Sequence, residues 1–163
     1  LSGSCSRATR AQVALHADNG ASLQVSADDL MNGGITAEQA VDWVAQQEGL
    51  PLVYSSSDPA VVTAAQDRYG RDAVASGFEA FFAAVARGLV ARGITRLITA
   101  GGETSGAVVE GLALKELAIG PEIDPGVPAL RASDNLTLAL KSGNFGSEDF
   151  FGKAEAILAG RMK

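Results

Sequence analysis

Between residues 78 and 112 a helical stripe, a strand and a second helix follow one another with almost nothing to spare. Phe78, Phe81, Phe82, Val85 and Leu89 fall at i, i+3, i+4, i+7 and i+11, one face of a core helix. Arg92-Gly93 closes it, a cation at the negative end of the dipole and a glycine for the left-handed cap. Residues 94–100 read as a strand, Gly101-Gly102 as a tight turn, and Glu103 onward as a helix through Val108, Val109 and Leu112. A strand held between two helices in this way finds its hydrogen-bonding partners in a sheet with helices packed on it.

The rest of the chain repeats the theme. Ala8, Ala11, Val13 and Leu15 suggest a helix after the small residues 1–6, and an extended piece is expected over 21–25. Thr36 and Gln39 stand at capping-box spacing ahead of Ala40, Val41 and Val44. Residues 51–56 read as a buried strand ending in serines, and Ser57-Asp58-Pro59 as a helix start with proline in the first turn. Extended pieces are expected over 127–131 and 136–141, after Pro121 and Pro125. Ser147 is expected to cap a last helix with Glu148 and Asp149 in its first turn. The pattern predicts an α/β fold, a largely parallel sheet flanked by helices, forming one domain over residues 1–163.

Composition narrows the partners. The formal charge is −6, with no run of lysines and arginines, and the aromatics are 6 Phe, 2 Tyr and 1 Trp. Nucleic acid needs a basic stripe to gain from counterion release, so it is not expected as a partner. A small anion remains compatible, because a few backbone N–H groups can hold one at any net charge. The single cysteine, Cys5, excludes an internal disulfide and reads as a small buried side chain. No uninterrupted apolar run in the sequence reaches the ~18–20 residues of a membrane span, and no signal-peptide pattern is seen, so a cytoplasmic setting is expected. The chain opens at Leu1 in what reads as a strand end, and residues upstream are expected.

Three segments could hold an anion at a strand end or helix start: Ser2-Gly3-Ser4-Cys5-Ser6, the stretch 99–106 around Gly101-Gly102-Glu103-Thr104, and Lys141-Ser142-Gly143-Asn144-Phe145-Gly146. Each alone is as readily a turn. Gly101 to Gly106 has the glycine step of a Walker A loop, but Ala107-Val108 replaces the lysine and hydroxyl residue, which excludes a P-loop. The glycines also miss the dinucleotide fingerprint. His16 has no second histidine for a metal cluster, and no Gly-x-Ser-x-Gly elbow is found. Asp28-Asp29 and Glu148-Asp149 read as solvated helix starts.

Taken together, residues 1–6 with 8–9, 53–59, 100–109, 119–123, 125–128, 138–146 and 149–151 resemble the C-terminal domain of the four-carbon acid sugar kinases, and within that family the 3-oxo-tetronate 4-kinases. The resemblance implies a C-terminal domain that binds ATP, with an N-terminal domain, absent here, that binds the sugar acid. It implies transfer of the γ-phosphoryl group to the terminal hydroxyl of a four-carbon acid, and hence Mg²⁺. Carried over by motif, the ATP contacts fall on the Ser2-Gly3-Ser4 segment through Ser2 or Ser4, on Gly101, Gly102, Glu103 and Thr104, and on Gly143. No catalytic residue and no metal ligand is assigned. Glu103 is either a nucleotide or Mg²⁺-water contact or a helix-start carboxylate, and Lys141 either neutralises phosphate or is a solvated strand-end lysine. The isolated half is expected to phosphorylate nothing and to self-associate through an uncovered face. A non-catalytic nucleotide-binding module, an interaction domain and a nicotinamide enzyme remain rival readings.

Overall fold

In the computed structural model, residues 1–160 are described. The elements in order are α1 (Arg7–Ala17), β1 (Ser22–Gln24), α2 (Ala27–Met31), α3 (Ala37–Ala45), β2 (Leu52–Tyr54), α4 (Pro59–Tyr69) and α5 (Arg71–Ala91). They continue as β3 (Arg96–Ala100), α6 (Gly102–Gly111), β4 (Ala118–Asp124), β5 (Val127–Ser133), β6 (Leu136–Lys141) and α7 (Phe150–Leu158).

The strands form two hydrogen-bonded groups, β1-β2 and β3-β6-β5-β4. The first residues of the chain join them. Ser2 bridges in parallel to both Tyr54 and Ala100. The Ser2 amide donates to Val53 O at 3.0 Å and the Ala100 amide to Leu1 O at 2.9 Å, so the opening residues fill the gap as a short inner strand. From β1 across to β6 the pairing is parallel, while β6-β5 and β5-β4 are antiparallel. The sheet, expected to be largely parallel, is parallel from β1 to β6 and antiparallel at its β5-β4 end, and so mixed.

Alternation along the strands divides the core between the two sheet faces. Val53, Leu97 and Leu138 pack with Val41, Phe82, Val85, Leu89 and Val108 from α3, α5 and α6. Leu52, Ile98 and Ala139 face the other way, onto Val13 of α1 and Phe150, Phe151 and Ala154 of α7. The Phe81/Phe82/Val85/Leu89 stripe is buried as its spacing requires, and Arg92 with Gly93 (φ +86°) ends α5. With 21 residues and a mean hydropathy of 1.4 over its most apolar stretch, α5 has the length and composition of a membrane span, which the sequence reading missed. Here its apolar stripe lies on the sheet.

Other departures have local causes. No strand was expected at β4, which contains Gly120-Pro121. It is an edge strand, largely exposed, where a missing N–H costs no ladder bond. Ser147 does not cap α7. That helix starts two residues later with Asp149 as its N-cap, and the Ser147 hydroxyl and amide both donate to Asp124 at 3.0 Å. Nor does α1 bury an apolar stripe. Its buried residues are Thr9, Gln12 and Val13, and Leu15 is exposed. Gln12 Nε2 donates to the carbonyls of Phe145, Gly146 and Ser147 at 2.9–3.1 Å, so the inner face of α1 is polar because it holds a loop.

Candidate functional site

The carboxyl ends of β2, β3 and the opening strand point to one side of the sheet, where helix starts gather around a cleft of about 520 Å³. Its floor is formed by Gly3, Ser4 and Cys5 with Gly101, Gly102, Glu103 and Thr104. Val61, Val62 and Ala65 of α4 and Phe78 of α5 form an apolar wall, and Ser55 and Ser57 stand at its edge.

Glycines hold the floor together. The Ser4 amide donates to Ala100 O at 3.3 Å, stacking the first loop on the second. Gly101 has φ +125°, and a Cβ there would lie 3.1 Å from Ser4 N. A Cβ on Gly3 would collide with Thr104 Oγ1, and one on Gly143 with Ser4 Oγ. Gly102 is different. Its φ is ordinary for any residue and a Cβ would meet no protein atom within 4 Å, so its missing side chain leaves space in the cleft.

The α6 start leaves its first amides without a partner from the chain. Gly101 is its N-cap and supplies no side-chain hydrogen bond, and the ladder begins only with Ser105 N donating to Gly101 O at 2.9 Å. The amides of Gly102, Glu103 and Thr104 precede that bond and are the orphan donors of a helix start, at the positive end of the dipole. At α2 and α3 such donors are satisfied from within, by capping boxes of Ser26 with Asp29 and of Thr36 with Gln39. Helices α4, α5 and α7 also lack a side-chain cap, and what sets α6 apart is that its first residues form the cleft floor.

Of the residues assigned to the nucleotide by motif, Ser4, Gly101, Gly102, Glu103 and Thr104 converge on the cleft. Ser2 does not line it. It is fully buried in the sheet, with its hydroxyl 2.9 Å from that of Ser56. Gly143 lies one layer back, behind Ser4, its carbonyl accepting from Thr9 Oγ1 at 2.8 Å and from the Ser6 hydroxyl. Glu103 is exposed in the first turn of α6. Cys5 is half-buried in the cleft rather than in the core.

Lys141 is not a solvated lysine, and it does not line the cleft. It is fully buried, and its three N–H donors go to Thr9 Oγ1 at 2.9 Å, Ser142 O at 3.1 Å and Gly143 O at 3.2 Å. Burial lowers its pKa to about 8. Asp28 bonds Arg68 and Tyr69, and Asp29 closes its own capping box, so this pair is structural as expected. His16 packs edge-on against Phe151 at 5.8 Å, and burial lowers its pKa.

Sequence reasoning missed the apolar wall. Val61, Val62 and Ala65 lie on a helix with no buried residue, so no core periodicity marks them. The serines ending β2 were the available signal.

The 3-oxo-tetronate kinase of Brucella melitensis is 44% identical over 161 residues, covering 96% of this chain and 37% of the relative. The enzyme of the same description from Pseudomonas savastanoi is 45% identical, over 98% of this chain and 38% of its own length. The chain thus spans well under half of these curated relatives. A crystal structure of a Haemophilus influenzae protein superposes with a TM-score of 0.91 at 39% identity, covering 96% of this chain and 39% of that one. A Bordetella bronchiseptica domain of unknown function, solved as a domain-swapped dimer with bound citrate, shares the fold alone, at a TM-score of 0.72 and 23% identity over 99% of this chain and 41% of its own. The family model for a nucleotide-binding C-terminal domain matches residues 1–151, and this chain belongs to that family.

Proposed function

We propose that this domain holds ATP in the cleft above β2 and β3 as the donor half of a kinase that phosphorylates the terminal hydroxyl of a four-carbon sugar acid. The observation that carries the reading is the uncapped α6 start, which opens beside an apolar wall. Phosphates suit the Gly102, Glu103 and Thr104 amides, and a base suits the surface of Val61, Val62, Ala65 and Phe78. The curated relatives' description as 3-oxo-tetronate kinases supports the acceptor class.

Phosphoryl transfer asks a protein chiefly for positioning and charge stabilisation. Ser4 and the α6 amides would fix the phosphate chain, and Thr104 Oγ1, between Gly3 and Gly101, offers a hydroxyl at the same point. Glu79 and Glu103 are the carboxylates on the cleft, and among the described residues no cluster of three or more metal-ligating side chains occurs. That donor set fits Mg²⁺ held mainly by phosphate oxygens and water, with Glu103 accepting from a bound water. Mg²⁺ would neutralise charge on the transferring group. The acceptor hydroxyl and its base belong, on this reading, to the rest of a longer polypeptide in a cytoplasmic setting. Orientation from that half supplies up to about 7–11 kcal/mol of the barrier reduction, so this domain alone binds ATP and transfers nothing.

Calorimetric titration with ATP·Mg²⁺, beside an assay with a panel of four-carbon acids, tests both statements. Saturable binding without turnover by the domain, and turnover by the longer protein, is expected. Absence of binding overturns the nucleotide reading, and turnover by the domain alone overturns the division of labour.

A further inference from the structure

Lys141 is a costly residue. An ammonium removed from water is stabilised best by a carboxylate, yet all three of its donors go to neutral oxygens, with the Phe150 ring 5.8 Å away on another side. Those oxygens belong to the device behind the cleft floor. Gly143 O takes bonds from Lys141, Thr9 and Ser6, which turns this carbonyl into the interior and presses Gly143 Cα against the Ser4 side chain. The Lys141 carbonyl also receives the Gly101 amide at 2.7 Å, tying the same residue to the α6 N-cap. One residue thus touches both loops of the floor, the Gly143 loop through its ammonium and the α6 N-cap through its main-chain carbonyl.

We propose that Lys141 is a positioning residue for the nucleotide phosphates, its ammonium fixing Ser4 through the Gly143 loop and lending the cleft floor a buried positive charge that a bound phosphate completes. The inference rests on the nucleotide reading above. With every donor engaged, the lysine acts through the loop and through its field, which is strong because little water intervenes. Phosphate in the cleft then favours the protonated form, and ATP binding draws a proton onto Lys141 where the free protein has begun to lose it, above about pH 8.

Other titratable groups must be kept apart from it. The packed elements carry Arg7, Arg10 and His16 on α1, Arg96 on β3, Glu103 and Glu110 on α6, Arg131 on β5 and Lys153 and Glu155 on α7. Burial is the sole cause displacing the Lys141 pKa. Cys5 also lines the cleft and carries an ionisable thiol, so the experiment uses a Cys5→Ala background.

ATP affinity is measured from pH 7 to 10 by calorimetry in two buffers of different ionisation enthalpy, with Lys141→Met and Lys141→Arg alongside. The background protein is expected to lose about tenfold in affinity across the range and to take up a proton on binding near pH 9, the linkage of a pKa raised by about one unit. Lys141→Met should bind at least about tenfold more weakly at pH 7, and Lys141→Arg should bind with a flat profile. A flat profile without proton uptake in the background protein overturns the proposal while leaving the nucleotide reading intact, and this holds whether or not the variants fold. A folded Lys141→Met that binds like its parent at pH 7 also overturns it. No binding at any pH overturns the nucleotide reading itself, and this inference with it.

Discussion

Helices α3 and α6 begin in opposite ways. At α3 the Thr36 side chain accepts from the Gln39 amide at 3.2 Å, and Gln39 Oε1 accepts from the Thr36 amide at 2.8 Å, so the helix end is closed by its own chain. At α6 the N-cap is Gly101, at φ +125° and without a side chain, and the first amides open on the cleft. The first start serves stability. The second gives up a cap worth about 1 kcal/mol and adopts a backbone open to few residues, which is reasonable where an external anion completes the end.

Gly101→Val attacks the open start most severely. A β-branched residue at this φ strains the backbone and crowds Ser4, so a stability loss of about 2–4 kcal/mol is expected in denaturant melts, with ATP binding lost. The positive φ of Gly101 is why this change costs the fold as well as binding. A folded Gly101→Val protein with normal affinity would break the comparison. Gly143→Ala is expected to be milder, because its Cβ meets a movable serine side chain. Affinity and stability should fall together, by about tenfold and about 1–3 kcal/mol.

Lys141 sharpens the contrast through pH. Its pKa is about 8 when folded against 10.5 in the open chain, so the unfolded state binds more protons between these values. The stability it costs below about pH 8 is recovered as pH rises toward 10.5. Denaturation at pH 7.5 and 10 should show a larger gain for the parent protein than for Lys141→Met. The smallest effect belongs to the closed start. Thr36→Ala should cost about 1 kcal/mol in a thermal melt and leave ATP affinity unchanged.

The legible parts of the fold were those where local and global preferences agree. The α5 stripe, the Arg92-Gly93 stop, the Thr36 box and Pro59 at the start of α4 each carry their cause in neighbouring residues. β4 was hidden because an edge strand tolerates the very residues that argue against one. The inner face of α1 was hidden because its partners are loop carbonyls 133–135 residues away, which leave no apolar period. At the site, motifs pointed to Gly101, Gly102 and Thr104 on the floor, while nothing in sequence distinguished Ser2, which pairs with Ser56 in the sheet, from Ser4, which lines the cleft.

The central claim is that phosphate seats on the open end of α6, and Gly102 tests it with the least confusion. Its backbone suits any residue and an added side chain meets only the cleft. Calorimetric titration of Gly102→Val with ATP·Mg²⁺, beside a thermal melt, should show an unchanged or slightly raised melting temperature and an affinity at least about tenfold weaker, or about 1.4 kcal/mol. A folded Gly102→Val protein that binds ATP as tightly as the parent would contradict the account.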